Sequence, residues 1–150
     1  MRPLFLILFV LFSLIVVAKG KGQLMYEISC AGNSDGYYIV EVSAYVHTKG
    51  EISEDVVKKC ALHGILFKGF SGKDGCHSQR QMLANYNREH STLIDKLIFK
   101  EYGKYTETIG IPLKVVKQSK RYKITTIVQV SKNLLRRDLE KAGIIRKLGF

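Results

Sequence analysis

Hydrophobic positions along this chain follow three patterns, and each change of pattern marks a change of element. Residues 3–18, PLFLILFVLFSLIVVA, show no period and form an almost unbroken apolar run. Residues 37–48 alternate: Tyr38, Val40, Val42, Ala44 and Val46 fall on one side, and Glu41, Ser43, Tyr45 and His47 on the other. That two-residue period belongs to a strand with one buried face. It returns in residues 122–130, where Tyr122, Ile124, Thr126, Val128 and Val130 form the expected buried face. Residues 23–30 and 105–116 supply two further strands. A turn-tolerant cluster at 31–36 and a polar turn at 117–121 fold the four into two hairpins.

A helical period takes over between and after the hairpins. Ser53 is an N-cap with Glu54 and Asp55 in the first turn, where the helix dipole favours acids. Val56, Val57, Cys60, Ala61, Gly64 and Ile65 then recur at helical spacing and predict a helix over 54–66. Leu93, Ile94, Leu97, Ile98 and Tyr102 predict a second within 89–102. Leu134, Leu135, Leu139 and Ala142 predict a third, capped by Ser131 or Asn133 and ended by Gly143. Residues 68–88 hold three glycines and mostly polar side chains. They read as a long loop, either functional or mobile, because that length exceeds the usual connection in a compact domain.

The order ββααββα argues for a two-layer α+β domain over residues 19–150, with an antiparallel sheet of about four strands and helices on one face. The strand-helix-strand alternation of parallel nucleotide-binding folds is missing, as are internal repeats and linkers. The apolar run reads as a signal peptide, residues 1–18. Arg2 supplies the positive n-region, residues 4–17 the apolar core, and Val16-Val17-Ala18 the side chains a signal peptidase reads, with cleavage after Gly20 as second choice. An uncleaved anchor is the alternative, although sixteen residues fall short of the roughly 20 that span a bilayer as a helix. Lipidation at Cys30 is disfavoured because Glu27-Ile28-Ser29 is not the small, apolar stretch it needs.

Composition sharpens this picture in one respect. With 46% hydrophobic and 25% charged residues in 150, the chain is neither disordered nor fibrous. Its 24 Lys+Arg against 13 Asp+Glu give a formal charge of +11, and +9 of that lies in residues 111–150. The basic side chains expected to meet a partner are Lys114, Lys117, Lys120, Arg121, Lys123, Arg136, Arg137 and Lys141. In an exported protein they imply an acidic protein or an anionic envelope surface, with membrane proximity, and no specific nucleic acid. The alternative is that these cations keep a small protein soluble and its sheet edges unpaired.

Three cysteines follow the leader. Cys60 lies on a helix with a buried face, where a free thiol behaves as a small hydrophobe, so a single disulfide in an oxidising compartment would join Cys30 to Cys76. Three reduced cysteines remain the alternative. Cys60 and His63, three apart on a helix, together with Cys76 and His77, are the potential zinc ligands, but the spacing matches no standard finger. A thiol nucleophile at Cys60 or Cys76 with His63, His77 or His90 as base lacks a recognisable local signature. The glycines at 64, 69, 72 and 75 do not make a phosphate loop, since a helix leads into them and the Walker spacing is missing. No cofactor and no catalytic residue is expected.

The segments GYYIVEVSAY at 36–45, KCALHGILFKG at 59–69, Gly75-Cys76 and DLEKAGIIRKLGF at 138–150 resemble an uncharacterised family of small exported proteins of Gram-negative, Bacteroides-like anaerobes. The likeness covers nearly all of the chain after the leader and implies export and a shared fold, but no activity. Relatives often carry a polar or small residue where Cys30 stands here, which weakens the Cys30 to Cys76 bridge. The order of elements is more loosely similar to small envelope-lipoprotein and flagellar-assembly accessory domains, which bind partners. The expected function is a non-enzymatic periplasmic or cell-envelope accessory domain with a basic C-terminal surface. The alternative is a metal-binding protein or thiol enzyme centred on Cys60, His63, Cys76 and His77.

Overall fold

A computed structural model describes residues 23–84 and 87–147. The expected signal peptide, residues 1–18, lies outside the described residues. The chain forms β1 (Tyr26–Ser34), β2 (Tyr37–Val46), α1 (Glu54–Phe67), α2 (Ser91–Phe99), β3 (Thr106–Gln118), β4 (Arg121–Ser131) and α3 (Lys132–Lys141). One-turn 3-10 segments at Lys49–Glu51, Arg88–His90 and Tyr102–Lys104 flank the helices. The fold is therefore mixed α+β, an antiparallel sheet with three helices.

The strand order is β1-β2-β4-β3, so the two strands with the cleanest alternation sit side by side at the centre. Their apolar faces coincide: Val40 pairs with Val128, Val42 with Thr126 and Ala44 with Ile124. A one-residue slip would turn both apolar sets to solvent, which is why pattern fixes register here. α1 lies against this face and buries Val57, Cys60, Ala61, Leu62, Ile65 and Leu66 in one cluster with it. Leu135 and Leu139 of α3 join the same cluster. α2 makes its helix contacts with α1 and leans on the one-turn segments around it.

Several boundaries differ from expectation for identifiable reasons. Residues 31–34 read as turn by composition, yet β1 continues through them to Ser34 by way of an irregularity between Cys30 and Gly32. Glycine and asparagine are poor strand formers, and pairing with Tyr37, Tyr38 and Ile39 overrides that weak preference. The turn shrinks to Asp35-Gly36, with Gly36 at φ 79°. The second hairpin likewise turns at Ser119-Lys120, and β3 contains a register shift between Ile109 and Lys114 around Gly110 and Pro112. Proline cannot donate to a ladder, and β3 is an edge strand where such a break is tolerated. α2 is shorter than the expected 89–102, because 3-10 turns replace both of its ends.

Residues 68–84, the described first part of that expected loop, are more ordered than a mobile loop would be. Phe70 and Gln79 exchange two backbone hydrogen bonds of 2.9 Å, Lys73 bridges Cys76, and the Cys30 N–H donates to the Ser71 carbonyl at 2.9 Å. Gly69 has φ 69°, and a Cβ there would collide with the backbone of Gln79, so close chain approach requires glycine. A disulfide between Cys30 and Cys76, with Cα atoms 5.8 Å apart, ties the segment to β1.

Candidate functional site

β4 carries the basic residues to two separate places. Arg121 and Ser131 stand at its two ends, about 34 Å apart at the usual strand rise. Lys114, Lys117, Lys120, Arg121 and Lys123 gather at the β3–β4 turn. Arg136, Arg137 and Lys141 ride on α3, which starts at the opposite end, where the Lys132 N–H donates to the Gly36 carbonyl at 3.0 Å. The single basic C-terminal surface expected from the sequence is thus two regions, because an extended strand separates them.

The two regions differ in electrostatics. At the α3 end, Arg136 Nε lies 2.9 Å from Glu140 Oε1, and Arg137 Nε lies 3.3 Å from Asp138 Oδ1. Asp138 Oδ2 also accepts from Lys104 Nζ and, at 2.8 Å, from the Tyr105 hydroxyl. Lys104 above all, with the Tyr105 and Arg137 hydrogen bonds, holds the Asp138 carboxyl down to about 2. Burial, and secondarily Asp138, pushes the Tyr105 phenol up. These contacts pin α3 to the chain leading into β3. Ser131 Oγ accepts from the Leu134 N–H, and at the far end the Ile144 N–H returns to the Leu139 carbonyl around Gly143, at φ 72°. That is the C-terminal stop expected from Gly143.

At the hairpin end Lys114, Lys117 and Lys120 are exposed, Arg121 and Lys123 are half-buried, and the cations have few partners. Among the described residues no carboxylate stands within ion-pair range of Lys114, Lys117, Lys120 or Arg121. Lys123 Nζ approaches Glu27 Oε2 at 3.9 Å, a pair on the solvent side of little energetic weight. The Arg121 guanidinium instead sits 4.5 Å over the Tyr45 ring, with Lys123 Nζ 5.9 Å from the same ring. Tyr45 is brought there by β2–β4 pairing, which sets it opposite Lys123. Sequence reading missed Tyr45 because that pairing joins strands separated by two helices. Beside it on the open sheet face lies a groove of about 440 Å³ lined by Lys114, Val116, Lys123, Thr125 and Ile127, with Glu41 at its acidic side.

The alternative constellation is not assembled. Cys76 is consumed by the disulfide with Cys30, which removes it from metal binding and from nucleophilic chemistry. Cys60 is 1% exposed, and burial pushes its thiol up to about 12, far from the reactive thiolate. His63 Nδ1 is hydrogen-bonded at 2.6 Å to the Tyr26 hydroxyl, and burial lowers its affinity for a proton. The exposed His77 donates its backbone N–H to Asn33 Oδ1 of β1 at 3.4 Å. Among the described residues no group of three or more His, Cys, Asp or Glu side chains stands close enough to hold a metal ion. No helix among them is long and apolar enough to cross a membrane. Comparison with family models, with curated proteins and with solved structures finds no match, so the functional reading rests on the geometry of this site.

Proposed function

We propose that the chain is an exported, non-enzymatic accessory domain of the periplasm or cell envelope that binds an acidic partner through the hairpin end of its sheet. The observation that carries this reading is the gathering of Lys114, Lys117, Lys120, Arg121 and Lys123 at one end, with Glu27 alone among the described carboxylates in ion-pair range. Clustered exposed cations raise the local concentration of anions and speed encounter with them. The apolar leader supplies the argument for export, and with it for a partner outside the cytoplasm. On α3, Arg136 pairs with Glu140 and Arg137 with Asp138, and these two cations orient the helix instead.

The test is retention of the chain from residue 19 onward, which contains the whole described core, on immobilised polyglutamate across a salt gradient. Retention should be strong at low ionic strength and fall as screening shortens the reach of each charge. Lys120→Glu combined with Arg121→Glu should abolish it. Arg137→Glu combined with Lys141→Glu changes net charge equally and should leave most of it. Equal loss in both pairs would show a response to total charge alone and sink the assignment to the hairpin.

A further inference from the structure

The hairpin end is apolar as well as basic. One row of side chains crosses the sheet there: Val116 pairs with Lys123, Lys123 with Tyr45, and the Tyr45 N–H donates to the Met25 carbonyl at 2.9 Å. Strand alternation places all four on the open face. Val115, on the other face of β3, pairs with Ile124 but remains exposed. Met25 is 42% exposed, Val115 43% and Val116 41%, so three of the five large hydrophobic side chains exposed among the described residues stand at this one end. A soluble acidic partner satisfies lysine and arginine but leaves these apolar groups in water. A surface that is both anionic and apolar just beneath satisfies both.

Resting on the acidic-partner reading above, we propose that this end docks on an anionic lipid surface. Approach is end-on, because only that orientation brings Val115 and Val116, on opposite faces of β3, into the headgroup layer together. Lys114, Lys117, Lys120 and Arg121 then meet lipid phosphates, their alkyl stems lying along the apolar boundary as long basic side chains do. The Tyr45 ring, with Arg121 4.5 Å and Lys123 5.9 Å from its centre, sits at the depth aromatic residues favour.

The chain has no tryptophan, so Val116→Trp provides a reporter without background. With vesicles of phosphatidylglycerol and phosphatidylcholine, its emission should shift to the blue, and salt should reverse the shift. Phosphatidylcholine vesicles alone should leave it unchanged. Near-surface cations each contribute roughly fivefold to partitioning, so Lys120→Gln with Arg121→Gln should weaken vesicle binding about thirtyfold. Val115→Ser with Val116→Ser, checked for native circular dichroism, should weaken it roughly tenfold without altering retention on polyglutamate. Vesicle binding with no spectral shift at position 116 overturns end-on docking. Binding to polyglutamate without binding to anionic vesicles overturns the lipid assignment and leaves the acidic-partner reading standing. Failure on both supports overturns both.

Discussion

At the α3 end of the sheet Arg136, Arg137 and Lys104 each meet a carboxylate, whereas at the hairpin end Lys114, Lys117 and Lys120 meet none among the described residues. The two regions draw on the same basic stretch of sequence. At the first, the cations lie on a helix within reach of Asp138 and Glu140, so charge is spent on fixing how α3 packs. At the second, they lie on a hairpin that extends beyond the helical layer, and charge faces outward. The comparison separates cations that hold the fold from cations available to a partner, and each of its halves can be broken by experiment.

The largest effect is expected in the half of the molecule that contains the α3 end. Cys30→Ser with Cys76→Ser opens a loop closed across 46 residues of sequence and should cost up to about 4 kcal/mol in urea denaturation. Polyglutamate retention of the folded fraction should be unchanged. Loss of retention at full folding would show that the tethered 70–79 segment, not the hairpin, is the contact.

Next comes Asp138→Asn, which keeps an acceptor for Tyr105 but removes the charge facing Lys104 and Arg137, at about 1–2 kcal/mol. The wild-type carboxyl is held near 2 in the folded state against an ordinary value of 3.8. A depressed carboxylate pKa stabilises above the unfolded value, and the gain disappears as pH falls through the folded one. The stability difference between wild type and variant should therefore be constant above about pH 4 and vanish near pH 2. A difference that persists below pH 2 would show that the lost contacts are not ionic.

Smaller effects belong to the hairpin end. Tyr45→Leu removes the ring beneath Arg121 and should cost about 0.5–1 kcal/mol, the range of an exposed cation–π contact. Smallest of all, Lys117→Glu with Lys120→Glu should change stability by about 0.5 kcal/mol or less, since neither side chain has a carboxylate partner among the described residues to lose. A loss of several kcal/mol in that pair would erase the distinction between the two ends and make both regions structural.

The two central strands, the three helices and the stop at Gly143 were legible because each is a local pattern: alternation, helical spacing, or a residue suited to positive φ. The extension of β1 through Gly32 and the ordering of residues 70–79 were not, because both depend on partners distant in sequence. Of the site, the basic residues were legible as a count. Their division was not, since Lys123 and Arg136 are thirteen residues apart in sequence yet belong to different ends of the molecule. Tyr45, Met25 and Val116 entered the site through β-pairing alone.

By itself the sequence determined what each segment could bury: an apolar leader, a four-strand, three-helix alternation and a basic final quarter. Hydrophobic period is a local property, and it suffices to choose element type and face. Which cations face carboxylates, which face solvent, and which apolar side chains stand beside them was decided by tertiary structure. The reason is geometric: β2 and β4 pair residues 76 to 94 apart in sequence, and no local pattern specifies what that pairing places next to Tyr45.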